Sequence, residues 1–181
     1  GTRGWPKSRG LGDVYKGQAR QRAAASLLPQ GLTLADLGCG TGYVARSLIG
    51  LCERLICIDR SEGMLQEAET RLRTAAAEDA QLEFRQGELD ALPLSDGELD
   101  GATAAMVLHP LPELGPALRE MRRVLKPGGT LSIVGLMPHR EAWMHAELGD
   151  RHLGLDPTAV QSELQRAGFV DIRVEPLDDR Y

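Results

Sequence analysis

Short apolar runs alternate with stretches of helical period along most of this chain, and the alternation predicts a parallel α/β sheet. Thr33–Leu37, Leu55–Ile58, Leu82–Arg85, Leu99–Val107 and Thr130–Leu136 read as five strands, and the alternating run Phe169–Val174 as a sixth. Ala19–Leu28 reads as a lead-in helix stopped by Pro29, and Tyr43 to about Gly50 as a short helix. Ser61 is placed to cap a helix reaching Ala77, with Met64, Leu65, Ala68 and Leu72 on one face. Pro116–Leu125 is a helix that ends at Lys126-Pro127-Gly128-Gly129. Asp156-Pro157 starts another helix, and Gly168 stops it.

Length and composition place these elements in one domain. A chain of 181 residues with 42% hydrophobic content buries a sizeable core, and it contains no run of about 18 apolar residues able to cross a membrane. Residues 1–18 are polar, lack periodicity and have no apolar core of a signal peptide. Asp13-Val14-Tyr15-Lys16-Gly17-Gln18 is similar to the translation of a transposon sequencing adapter. We therefore read 1–18 as a disordered or artefactual segment and 19–181 as the domain. The first 18 residues carry +3, so with a chain total of −5 the domain carries −8, which argues against direct nucleic-acid binding. Cys39, Cys52 and Cys57 have no paired spacing and read as reduced thiols of a cytoplasmic protein.

The richest chemistry lies in Leu34-Ala35-Asp36-Leu37-Gly38-Cys39-Gly40-Thr41-Gly42-Tyr43, an apolar strand running into a glycine turn and then a helix. Glycines at 38, 40 and 42 permit positive φ and close approach of a ligand to the backbone. Asp59, about 20 residues on and at the end of a second strand, suits the two ribose hydroxyls of a nucleoside. The spacing is D-x-G-x-G-x-G rather than the G-x-G-x-x-G of dinucleotide sites. Asp36 at the mouth of the turn would repel a pyrophosphate and attract an ammonium and a sulfonium, which favours S-adenosylmethionine over NAD.

On these motifs the chain resembles the class I S-adenosylmethionine-dependent methyltransferases, in the type 11 methyltransferase-domain group, over about residues 19–175. Asp36-Leu37-Gly38-Cys39-Gly40-Thr41-Gly42 resembles the first motif of that family. The segment Ile58-Asp59-Arg60-Ser61-Glu62-Gly63-Met64-Leu65 resembles its ribose-binding segment, with Met64 near the adenine. Gln86–Leu94 resembles its third segment, which implies that Glu88 and the Leu89 N–H hold the adenine edge. The implied cofactor set is therefore Asp36, Gly38, Cys39, Gly40, Gly42, Asp59, Arg60, Met64, Glu88 and Leu89. Arg123-Val124-Leu125-Lys126-Pro127-Gly128-Gly129 resembles the turn before the fifth strand. Leu136–Glu141 and Leu153-Gly154-Leu155 resemble methyltransferase domains fused behind an ArsR-type winged helix. The implied fold is Rossmann-like and doubly wound, a mostly parallel sheet of order 3-2-1-4-5 followed by 7-6 where both exist. Little chain follows residue 174, so the last antiparallel strand is expected to be missing, and the domain truncated at its C-terminus.

The implied reaction is displacement at the cofactor's methyl carbon by a small-molecule acceptor, so the protein mainly aligns the two. His109, just past the fourth strand where family acceptors sit, is the candidate base, set against a purely pocket-shaping role. Glu141 and His145 share a helix face, and His139, His152, Glu147 and Asp150 lie nearby, but no third spacing fixes a metal site and none is expected. Trp143, Met144 and His145 are placed on the acceptor side instead. The three cysteines do not supply the thiol set that arsenite methylation needs, and no Asn-Pro-Pro-Tyr-like segment marks amino-group methylation of bases or glutamine. Arg119, Arg122, Arg123 and Lys126 read as a solvated basic face near a helix C-terminus. A second reading, from a different class, is a module that senses S-adenosylmethionine for a fused winged-helix regulator.

Overall fold

A computed structural model describes residues 26–76, 80–140, 143 and 151–177. Five strands form one sheet: β1 (Thr33–Leu37), β2 (Arg54–Asp59), β3 (Gln81–Gln86), β4 (Leu99–Ala105) and β5 (Leu125–Val134). Every pairing is parallel and the order is β3-β2-β1-β4-β5. The helices are α1 (Ala45–Leu48), α2 (Glu62–Ala75), α3 (Leu114–Val124) and α4 (Pro157–Arg166). β1 and β2 are apolar on both sides because helices cover both faces of the sheet. One core, with Leu37, Ile58, Leu99, Leu118 and Met121, packs α3 against the sheet. The other, with Leu55, Cys57, Leu65, Ala68 and Leu72, packs α1 and α2 on the opposite face.

The local signals act as their chemistry dictates. Ser61 Oγ accepts from the Met64 N–H at 3.4 Å, and the Asp156 carboxylate accepts from the Thr158 N–H at 2.8 Å with Pro157 in the first turn. Each satisfies an N–H that a helix start leaves orphaned. Arg54, which opens β2, and Glu98, just before β4, interlock with Glu83 and Arg85 of β3, including Arg54–Glu98 at 2.9 Å and Arg85–Glu83 at 2.7 Å. The Arg54 hydrogen bond holds Glu83 down at about 2, well below the usual carboxylate range.

Several expected boundaries move. Phe169–Val174 is not a strand: the Phe169 N–H closes the end of α4 on Leu164 O at 3.0 Å, and Asp171 takes φ 53°. That left-handed residue breaks the extended run, leaving Val170 and Val174 exposed. No antiparallel strand joins the sheet among the described residues. The helix expected from Tyr43 shrinks to α1 because Gly42 N–H to Cys39 O, 2.8 Å, spends the first turn on closing the glycine loop. Met64 lies on the exposed side of α2, whose buried stripe is Leu65, Ala68 and Leu72. β4 stops at Ala105 because Met106 adopts φ 59°. β5 starts at Leu125 and ends at Val134, with a register shift that absorbs the Lys126–Gly129 turn. Residues 26–28 form turns and a bend, and the remainder of the expected lead-in helix lies outside the described residues, as does the 1–18 segment.

Candidate functional site

The parallel register delivers the ends of β1 and β2 to one edge of the sheet, and the glycine turn folds back across it. The Gly38 and Cys39 N–H groups both donate to Ile58 O, at 2.7 and 2.9 Å. Asp59 then clamps the turn from below. Its Oδ2 accepts from the Gly40 N–H and its Oδ1 from the Ser61 N–H, both at 2.9 Å. Each oxygen has a second lone pair, so the carboxylate can still accept two hydroxyl hydrogens. Gly38, Gly40 and Gly42 have φ of 73°, 51° and 80°. A Cβ on Gly38 would lie 2.5 Å from Val107 Cγ1, and one on Gly42 3.2 Å from Leu72 Cδ1. A Cβ on Gly40 would meet nothing within 4 Å. The outer two glycines are therefore packed against the protein, and the middle one faces open space that a ligand can fill.

Asp36 sits deeper than its place in the motif suggests. It is 2% exposed, and its Oδ2 accepts from the Ala45 N–H at 2.9 Å, holding the start of α1 to β1. Burial pushes its pKa up to about 6; the Ala45 bond opposes this, and repulsion from nearby Asp59 adds to it. A cation bound over the turn would favour the ionised carboxylate and offset both effects. The third segment joins the same edge, since the Gly87 N–H donates to Asp59 O at 3.1 Å and Gln86 Nε2 to Arg60 O at 2.9 Å. Glu88 is exposed beyond the end of β3, and Leu89 packs on the core beside it. Arg60 and Met64 are exposed on the β2–α2 junction, with Met64 45% accessible. Cys39 is buried and its thiol contacts Gly40 O at 3.6 Å, so it fills space under the turn. Burial pushes the Cys52 thiol up to about 11. All three cysteines are free thiols.

Those residues fit S-adenosylmethionine: a buried carboxylate, Asp36, beneath the turn, a second, Asp59, on the Gly40 N–H with lone pairs to spare, and open space over Gly40.

The opposite side of the edge is built from the ends of β4 and β5. His109 is 2% exposed, and its Nε2 accepts from the Leu136 N–H at 3.1 Å. That nitrogen cannot take a proton from an acceptor without giving up the bond to Leu136. Its carbonyl accepts the Arg151 and His152 N–H groups at 2.8 and 3.0 Å. Leu155 N–H to Leu136 O, 2.8 Å, and His139 N–H to Leu153 O, 3.1 Å, complete a short ladder. His152 Nε2 lies 2.9 Å from Leu111 O. Two stretches read separately in sequence are thus partners, 136–139 pairing with 153–155. Glu141, Met144, His145, Glu147 and Asp150 lie outside the described residues; Trp143 is exposed. Among the described residues no cluster of three His, Cys, Asp or Glu side chains is arranged for a metal ion.

The basic set on α3 divides. Arg123 pairs with Asp96 at 2.7 Å and Glu120 at 2.8 Å and donates to the carbonyls of Leu92 and Leu94, so it clamps the segment after β3. Lys126 pairs with Asp100 at 2.7 Å, and Arg119 is exposed. Sequence reasoning missed Val107, whose side chain packs on Gly38, and Arg71, which donates to Thr41 Oγ1 at 2.9 Å and braces the turn. Neither carries a motif, because both contacts arise only when distant segments meet.

The family model described as "Methyltransferase domain" matches residues 35–133. A demethylmenaquinone methyltransferase of Desulfitobacterium hafniense is 35% identical over 123 residues, 66% of this chain and 47% of that protein. A malonyl-[acyl-carrier protein] O-methyltransferase of Serratia marcescens is 34% identical over 128 residues, 68% of this chain and 47% of that protein. The chain thus spans about half the length of these relatives. Among solved structures, a Bacillus halodurans putative methyltransferase superposes with a TM-score of 0.70 at 21% identity, covering 85% of this chain and 69% of that one. Haemonchus contortus phosphoethanolamine N-methyltransferase 2, solved with S-adenosyl-L-methionine, gives 0.70 at 18% identity, covering 89% of this chain and 38% of that one. With the glycine turn, β4 and most of β5 inside the matched residues, the chain belongs to the methyltransferase-domain family.

Proposed function

We propose that this chain transfers the methyl group of S-adenosylmethionine to a small-molecule acceptor. The observation that carries the proposal is the Asp59 carboxylate, tied to both the Gly40 and Ser61 N–H groups beneath an open glycine turn. The cofactor, when bound, supplies an electrophilic methyl group and its own leaving group. Asp59 is placed for the ribose hydroxyls, Asp36 for the positive charge, and Glu88 with Leu89 for the adenine edge. Met64 and Arg60 are exposed at the neighbouring β2–α2 junction. The chain's own work is alignment and exclusion of water. His109 acts first as a positioning residue: its ring and carbonyl lock the β4 loop to the ends of β5 and of the 151–155 segment. Proton removal by His109 would require the Leu136 bond to open.

The relatives include a demethylmenaquinone methyltransferase and a malonyl-[acyl-carrier protein] O-methyltransferase, so acceptors of both kinds belong in the first screen. The domain itself is proposed not to bind nucleic acid, because the chain is acidic and Arg123 and Lys126 of the basic set are ion-paired. A cytoplasmic setting agrees with three free thiols. No helix among the described residues is long and apolar enough to cross a membrane. A fused winged-helix partner rests on the resemblance of 136–141 and 153–155 alone.

The test is methyl transfer from radiolabelled S-adenosylmethionine across that screen. Transfer abolished by Asp59→Ala supports the enzyme reading. Tight cofactor binding with no transfer to any acceptor would favour the sensor instead.

A further inference from the structure

We propose that Met106 is a specificity-determining residue of the acceptor side, selecting an uncharged, apolar acceptor; this rests on the methyltransferase reading above. Met106 and Asp171 are the two non-glycine residues with left-handed φ among those described, at 59° and 53°. Aspartate tolerates that region because its short side chain bonds locally, whereas methionine gains nothing comparable. Nine glycines in the described chain take positive φ, so glycine is the ordinary solution here. A methionine kept in this conformation calls for something its side chain does.

Position narrows what that is. Met106 directly follows β4, and its N–H donates to Val134 O at the end of β5, 2.8 Å away. The next residue, Val107, packs on Gly38 of the cofactor turn. Met106 therefore stands between the cofactor turn and the end of β5, where an acceptor must lie to meet the methyl group. Its side chain is 38% exposed and takes no part in either core cluster. Met137, 57% exposed, follows the end of β5. An apolar side chain left open beside the cofactor turn suits an apolar ligand, and a thioether adapts to varied apolar shapes.

The test uses the full chain loaded with S-adenosylhomocysteine and two bicyclic probes of matched size, 2-naphthol and 2-naphthoate, titrated by calorimetry. Met106→Asn and Met106→Gly suit the left-handed backbone but remove the apolar side chain; Met106→Leu keeps an apolar one. The expected result is that wild type binds naphthol at least about tenfold more tightly than naphthoate. Asn and Gly should weaken naphthol about tenfold, and Leu by less than about threefold. Urea midpoints and S-adenosylhomocysteine affinity should stay within about twofold throughout. Wild-type preference for naphthoate, absence of naphthol binding, or unchanged naphthol affinity in Met106→Asn would overturn the proposal. So would early unfolding of both Asn and Gly variants, since Met106 would then be packing the fold. Failure of wild type to bind S-adenosylhomocysteine would instead remove the cofactor reading beneath it.

Discussion

Two glycines separated by a single residue, Gly38 and Gly40, illustrate how one motif serves both fold and function. Gly38→Ala forces a Cβ to within 2.5 Å of Val107 Cγ1 at φ 73°. We expect it to cost about 3 kcal/mol in a urea titration, combining overpacking with left-handed strain. Gly40→Ala carries only the strain, about 1 kcal/mol, because nothing lies within 4 Å of the new methyl group. If the cofactor occupies that open space as proposed, the same substitution should nonetheless abolish its binding. Equal loss of stability in the two variants would refute the division. Asp36 makes a pH-dependent prediction at the same scale. Its pKa is raised from 3.8 to about 6, so the folded state holds its proton more tightly than the unfolded chain. The group therefore withdraws stability as pH rises from about 4 through 6, amounting to about 3 kcal/mol when fully ionised. Asp36→Asn should gain on wild type across that window, with urea midpoints diverging between pH 4 and 7. Binding of the cationic cofactor should weaken below about pH 6, where Asp36 takes up its proton. Flat difference curves would contradict the assignment.

At the scale of elements, the acceptor side depends on the ladder between 136–139 and 153–155. Gly154 has φ 79°, and a Cβ there would overlap the Met137 carbonyl oxygen. Gly154→Ala should open the ladder and release His109 from Leu136, lowering methyl transfer at least about tenfold while cofactor affinity changes less than about twofold. Cofactor binding that falls in parallel with transfer would mean the two halves are not separable. Where local chemistry decides an element, the chain was legible: Ser61 and Asp156 start their helices, and β1 occupies the expected residues. Where a distant partner decides it, the pattern misled. Phe169–Val174 alternates like a strand, but its amide closes α4 and Asp171 turns the chain. Tyr43 looked like a helix start until the Cys39–Gly42 turn took its first hydrogen bond.

At the scale of the whole molecule, the order β3-β2-β1-β4-β5 brings β1 to the centre and gathers Asp36, Asp59 and the third segment at one edge. Most of the geometry at that edge was legible because Asp36, the glycine turn and Asp59 lie in two short segments. The opposite side was not, because Val107 reaches Gly38, and Leu136 reaches His109 and Leu155, only once β4 and β5 lie side by side, and no single stretch records it. His109 was found as a candidate, but not that its ring would be occupied by Leu136. The central claim is that Asp59 and the glycine turn together hold S-adenosylmethionine. Its most direct test is calorimetric titration of wild type and Asp59→Ala with S-adenosylmethionine, S-adenosylhomocysteine and NAD. We expect micromolar binding of both adenosyl compounds by wild type, none of NAD, and loss of at least about 1.4 kcal/mol, tenfold, in the variant. Binding of NAD alone, or equal cofactor affinity in a folded Asp59→Ala, would contradict the account.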